Sequence, residues 1–266
     1  MSILNSNICY LFIIFVFLIF AFERKKQVII SDKKTKNLCK LEILCAVFLY
    51  TALMFVIAKL NGVLSCGFHF MDDKETYTLG KDIQNMGFLE ATMGIIKGDM
   101  GRRFRYLYWI IRMAEIKLFG DNFTLWHITM TLLTGINMSL CYIYARKREC
   151  PVWIACAVPV VIYGGSQFTV AFMLGPQENW GLFLFSFAMI FMVDYLKTRK
   201  IRYFIGLVIF TVLTAGIKES FILMLPVLIL MTINYEINYL GYNKENWIKN
   251  ILASIKRNIV YFVITI

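Results

Sequence analysis

Charge is scarce in this chain: 17% of its 266 residues are Asp, Glu, Lys or Arg, against about 25% in an average soluble domain. Proline is scarcer still at four residues, and histidine stands at two. These shortages, set against a 59% hydrophobic content, exclude a disordered chain and a collagen-like one. Cysteine has no framework spacing. The seven cysteines are an odd number, and most sit inside apolar runs (Cys9, Cys45, Cys141, Cys156), where a thiol behaves as a small hydrophobe. There is no CxxC and no Cys/His metal spacing. A Walker motif, a nucleophile elbow and a dinucleotide fingerprint are missing too, as is any tandem repeat of the soluble type.

What the chain has is apolar length. Aromatic residues make up 16% and mean hydropathy is +0.65. The net charge of +11 does not point to nucleic acid, because the basic residues form no single patch. They fall between apolar segments, as in a multi-span membrane protein.

A spanning helix needs about 20 apolar residues. The first run is Ile3 to Phe22, with no basic leader and no small-residue cleavage site, hence an anchor rather than a removed signal. The second is Ile43 to Leu64, with Lys59 placed to snorkel. A longer polar-to-amphipathic stretch, Ser65 to Asn122, precedes the third run, Phe123 to Ala145. The fourth, Val152 to Leu174, is expected to kink or break at Pro159 and Gly164-Gly165-Ser166. The fifth is Trp180 to Leu196. Tyr203 to Gly216 and Phe221 to Ile233 follow as two short runs, and a last begins at Ile259.

Four basic clusters are then expected on one side, the cytoplasmic one: Arg24 to Lys40, Arg146 to Arg148, Lys197 to Arg202 and Lys244 to Arg257. Reading residues 203–233 as one helix would put the last cluster outside, so two short spans are expected. Outside then lie 65–122, 175–179 and the Lys218-Glu219-Ser220 turn.

Those external segments hold the residues that bear chemistry. Asp72-Asp73 stands just beyond a span; one carboxylate there can act as a general base on a hydroxyl, or simply begin a solvated loop or cap a helix. Arg102, Arg103 and Arg105 match phosphate oxygens or anchor to headgroups. Tyr106 to Gly120 reads as a helix lying in the interface, with residues 105, 112 and 115 near one stripe. Glu178 is the one charge of its loop, and Lys218-Glu219 is either functional or a mutual ion pair. His69 and His127 have no second ligand at metal spacing and read as structural. Asn122-Phe123-Thr124 is a formal glycosylation sequon that abuts a span.

Taken in order, these features resemble the N-terminal half of GT-C glycosyltransferases, the polytopic class of protein O-mannosyltransferases and bacterial aminoarabinose transferases. The resemblance covers roughly 41–235. It rests on Asp72-Asp73 with Tyr77, the Gly101-Arg102-Arg103-Phe104-Arg105-Tyr106-Leu107-Tyr108-Trp109 segment, Leu118 to Asn122 before a span, Gly175 to Glu178, and Lys218-Glu219-Ser220 ahead of Pro226.

The resemblance implies a plasma-membrane enzyme, bacterial in style, that moves a sugar with inversion from a polyprenyl-phosphate donor to an extracytoplasmic glycan, lipid or protein acceptor. Asp73 would be the base, with Asp72 the close alternative. Glu178 would be a second acid, Arg102, Arg103, Arg105 and Lys218 would hold the phosphate, and Tyr77 and Glu219 would support them. No cofactor is implied, and a divalent metal stays open.

The expected architecture is an all-α transmembrane bundle with an interfacial helix in its first external loop. Its parts are an anchor (1–22), a basic loop (23–40) and a GT-C-like domain (41–266). Two features depart from the family: the extra first helix, and the stop at Ile266, eight residues into an apolar run, which reads as a fragment or an inactive truncation. A transporter or flippase of lipid-linked solutes is the rival, and a glycan polymerase or ligase a second.

Overall fold

A computed structural model of the chain describes residues 40–67, 74–101, 103–164, 172–174, 177–239 and 247–265. The expected anchor 3–22 and most of the first basic loop lie outside them, as do His69, Asp72, Asp73 and Arg102. The described residues are helical with connecting turns, without strands. The helices are α1 (Lys40–Leu60), α2 (Lys74–Met86), α3 (Phe88–Met100), α4 (Tyr106–Phe119), α5 (Phe123–Lys147) and α6 (Val152–Tyr163). They continue as α7 (Glu178–Thr198), α8 (Ile201–Ala215), the short α9 (Glu219–Ile222), α10 (Leu225–Tyr239), α11 (Trp247–Arg257) and α12 (Ile259–Thr265). Among the described residues, four stretches are long and apolar enough to cross a membrane: α1, α5, α7 and Glu219–Glu236. The protein is an all-α membrane bundle.

The chain divides into two compact units, Met1–Asp72 with Asp121–Asn179, and Asp73–Gly120 with Trp180–Ile266. In the first, α1 packs along α5 and α5 along α6. Their approach is close because Gly135 lies at the contact: a Cβ there would stand 2.6 Å from Thr51 Cα. Small residues serve this purpose between membrane helices, where hydrocarbon outside the bundle removes the hydrophobic drive for association. Ala46 and Ala58 on α1 are buried, and Ser139 Oγ donates to the Ala46 carbonyl at 3.3 Å.

At one end of this unit, Glu42 accepts from Arg146 Nε at 2.6 Å and from the Tyr142 hydroxyl at 2.7 Å. That contact brings the start of α1 to the basic end of α5. Deeper, Asn137 Nδ2 donates to the Asn179 carbonyl at 2.8 Å and Asn179 Nδ2 to Thr134 Oγ1 at 3.1 Å. His127 is fully buried on α5. In the fourth run α6 passes through Pro159 without ending there and stops at Tyr163, with Gly164 as its C-cap.

In the second unit α8 and α10 run antiparallel, because Arg199 just before α8 pairs with Glu236 near the end of α10. Residues 203–233 therefore reverse direction, and they form α8, the short α9 and α10 rather than one helix. Phe183, Phe187, Phe210 and Phe191 form a continuous run of ring contacts along α7 and α8, with centroids 4.9–5.4 Å apart. Gly206 admits Phe191, which would stand 2.6 Å from a Cβ at that position.

Replacing Gly135 with Ala forces a methyl into the Thr51 backbone. We expect a loss of about 1–3 kcal/mol, typical of overpacking. Thermal unfolding in detergent, followed by size-exclusion recovery, should show it, whereas Gly94→Ala, which meets no heavy atom within 4 Å, should leave the midpoint nearly unchanged.

Candidate functional site

The groove of interest lies wholly within the second unit and is built by α2, α3 and α4. Its volume is about 390 Å³, and its walls carry Glu75 and Asp82 from α2, Asp99 from α3, and Arg105 and Trp109 at the start of α4. Gly94 and Gly98 of α3 also line it. A Cβ on either glycine would meet nothing within 4 Å, so the open space lies directly over that face of α3.

Asp99 organises the corner. It sits in the last turn of α3, where the helix dipole presents its negative end and disfavours a carboxylate. Arg105 offsets this with Nε to Oδ2 at 2.6 Å and an Nη to Oδ1 at 3.2 Å, a bidentate pair. The Trp109 indole N–H donates to Oδ2 at 2.6 Å. The backbone N–H of Arg103 reaches the Asp99 carbonyl at 2.8 Å. Partial burial works to raise the Asp99 carboxyl, but the hydrogen bonds from Arg105 and Trp109 and the Arg105 charge prevail, holding it below the usual carboxylate range. Arg105 also lies over the Trp109 ring, 4.8 Å from the centroid, a cation–π contact.

A second polar cluster lies further along α4. Arg112 and Glu115 are buried, not on the outer face. Arg112 donates to the Tyr108 hydroxyl at 3.1 Å and pairs with Glu115 at 3.5 Å. The Trp180 indole N–H donates to Glu115 at 3.0 Å. Burial raises the Glu115 carboxyl above its ordinary value, although Arg112 and Trp180 oppose it. The charged stripe turns inward, since buried charges must be paired, and α4 exposes Ile110 and Leu118 instead.

The start of α4 is tied to the α8–α9 break. The Leu107 N–H, one of the first-turn donors that a helix cannot satisfy itself, binds the Gly216 carbonyl at 2.9 Å. Gly216 is required to be small, because a Cβ would lie 2.6 Å from Tyr106 Cζ.

The sequence-predicted site residues fall as follows. Asp72, Asp73 and Arg102 lie outside the described residues. Tyr77 is exposed on α2, with Lys81 Nζ 4.4 Å from its ring centroid. Arg103 is exposed, and Arg105 is engaged by Asp99. Lys218 and Glu219 are half-buried, two and three residues beyond the Gly216 contact. The Leu107–Gly216 bond joins the chain just after Arg103 and Arg105 to the turn just before Lys218. Glu178 opens α7 and belongs to the first unit.

Sequence reasoning missed Asp82 and Asp99, and it quoted Trp109 only as the end of the arginine-rich segment, with no role. The spacing gave no signal for their meeting, because Asp99 and Trp109 belong to different helices. Among the described residues, no three His, Cys, Asp or Glu side chains gather as a metal site.

No protein-family model, no curated protein and no solved structure matches the chain.

Asp99 offers a pH test. Its carboxyl is held below the ordinary value near 3.9, so the ionised form stabilises the fold above that value. This contribution disappears as pH falls through the lowered value. Asp99→Asn should cost about 1–3 kcal/mol at neutral pH, with a flatter stability profile than wild type below about pH 5. Denaturant unfolding across that range measures both effects.

Proposed function

We propose that the chain is an integral membrane glycosyltransferase of GT-C type, transferring a sugar from a polyprenyl-phosphate donor to an extracytoplasmic acceptor. The observation that carries this reading is the groove of α2, α3 and α4. It is formed by the segment between the first two described spans, directly after Asp72-Asp73, and its walls combine carboxylates with an indole and a guanidinium. Three carboxylates against one guanidinium leave the lining anionic, and Arg105 is already engaged by Asp99. Such a lining suits the hydroxyls of a sugar or acceptor rather than the donor phosphate. The phosphate then falls to Arg103 and Lys218, on the two segments joined by the Leu107–Gly216 bond.

In the reaction, an acceptor hydroxyl attacks the anomeric carbon as its proton passes to Asp73, or to Asp72. The bond to the phosphate oxygen breaks on the opposite face, so the configuration inverts. Polyprenyl phosphate is a competent leaving group, and its developing charge needs cations more than an acid. Asp99 is a positioning residue in this scheme, because it holds Arg105 and the α3–α4 corner.

The test is transfer from a panel of labelled polyprenyl-phosphate sugars by membranes containing the protein, at matched expression. Asp73→Asn should lower transfer by two orders of magnitude or more, as expected for a general base. Gly94→Leu, which places a side chain into the open groove, should abolish transfer while leaving the unfolding midpoint close to wild type. Transfer unaffected by Gly94→Leu would remove the groove from the site, and no transfer from any donor by wild type would overturn the enzyme reading.

A further inference from the structure

Helix α11 is oriented opposite to an ordinary amphipathic helix. Asn250, Ser254 and Asn258 recur every four residues, so they form one stripe, and all three are buried. Ile248 and Leu252 are more than half exposed, as are Ile259 and Val260 beyond the end of the helix. Lys249, Lys256 and Arg257 are exposed beside them. The polar stripe is held inward by specific bonds. Asn258 Nδ2 donates to Glu236 Oε1 at 3.0 Å and to the Ser254 carbonyl at 2.9 Å. Arg199 donates to Asn258 Oδ1 at 3.0 Å and forms an ion pair with Glu236. Glu236 is fully buried, so it must keep these partners, and the apolar side of α11 is thereby turned outward.

Position adds to this. Arg199 lies one residue past the end of α7, a span-length helix, and Glu236 closes the last span-length stretch. The Arg199–Glu236–Asn258 cluster therefore marks where spans leave the bilayer, and α11 packs against α10 at that level. The same turn carries Lys197, Lys200 and Arg202, all exposed, with Ile201 67% exposed. Exposed aliphatic side chains flanked by cations, at the end of membrane spans, match a surface that offers hydrocarbon beneath negative charge.

We propose that α11 is an interfacial helix that binds anionic phospholipid headgroups, with Ile248 and Leu252 entering the acyl boundary and Lys249 and Lys256 meeting the phosphates. The polar Asn250–Ser254–Asn258 stripe serves as the protein-side latch, coupling occupation of this lipid surface to the packing of α8 and α10. This assignment stands on α11 and the Arg199–Glu236 contact that holds it, and does not depend on the enzyme reading.

The experiment uses the full chain in lipid nanodiscs, with an environment-sensitive fluorescent amino acid in place of Leu252. The discs contain phosphatidylcholine alone or with one third phosphatidylglycerol, and doxyl groups at shallow or deep positions act as quenchers. The expected result is blue-shifted emission, quenched more by shallow than by deep doxyl lipid, and at least twofold more in discs containing phosphatidylglycerol. High salt, which screens such contacts, and the double substitution Lys249→Gln with Lys256→Gln should each remove the dependence on phosphatidylglycerol. Size-exclusion elution of the double variant verifies that it folds. Water-like emission in both discs would overturn the proposal, as would equal quenching in both compositions. Strongest quenching by the deep lipid would make α11 part of a span instead. Emission that depends on protein concentration rather than lipid composition would assign the face to a second copy of the chain.

Discussion

A bilayer core offers no water to the backbone, so every N–H and C=O that crosses it must be satisfied within the chain. Helix is the form that meets this requirement in single segments, and the described residues follow it throughout. The same constraint acts on side chains. Outward apolar residues face a solvent as apolar as they are, so packing and internal polar bonds must hold the helices together. Gly135 against Thr51, Ser139 on the Ala46 carbonyl, and the Asn137–Asn179–Thr134 chain are the local answers in the first unit.

The second unit answers the constraint with ion pairs, of which Arg112–Glu115 is buried on both sides. Asp99–Arg105, Arg112–Glu115 and Arg199–Glu236 each pair a carboxylate with a guanidinium. Such pairs add little net stability compared with apolar packing, but removing either partner of Arg112–Glu115, or Arg199 from Glu236, leaves a buried charge uncompensated. They act chiefly on geometry. Asp99 fixes the corner between α3 and α4 that shapes the groove. The buried Arg112–Glu115 pair turns the charged stripe of α4 inward. Arg199 and Glu236 set the polar face of α11 toward the protein, which leaves its basic and aliphatic residues outside.

Much of the helical order was legible in the sequence because apolar length is a local property. The runs expected from Phe123, Trp180 and Tyr203 correspond to α5, α7 and α8, with ends displaced by a few residues. The reversal between α8 and α10 was legible through the charge of Lys218-Glu219 between apolar runs. At Pro159 the helix α6 continues, and its end falls at Gly164. Helix α11 escaped notice because its basic residues read as a loop cluster, while its apolar period is short.

The sequence by itself determined that the protein is a helical membrane protein, since hydropathy and the distribution of Lys and Arg are sums over neighbouring residues. It also singled out Arg105 and Lys218 as unusual charges. Only the tertiary structure decided their partners. Asp99 meets Trp109 across ten positions, Leu107 meets Gly216 across more than a hundred, and Asn258 meets Arg199 across fifty-nine. Such contacts follow from how helices pack and where turns redirect them. No periodicity within one helix encodes a hydrogen bond to another, so the groove, its charge balance and the outward face of α11 emerge only on folding.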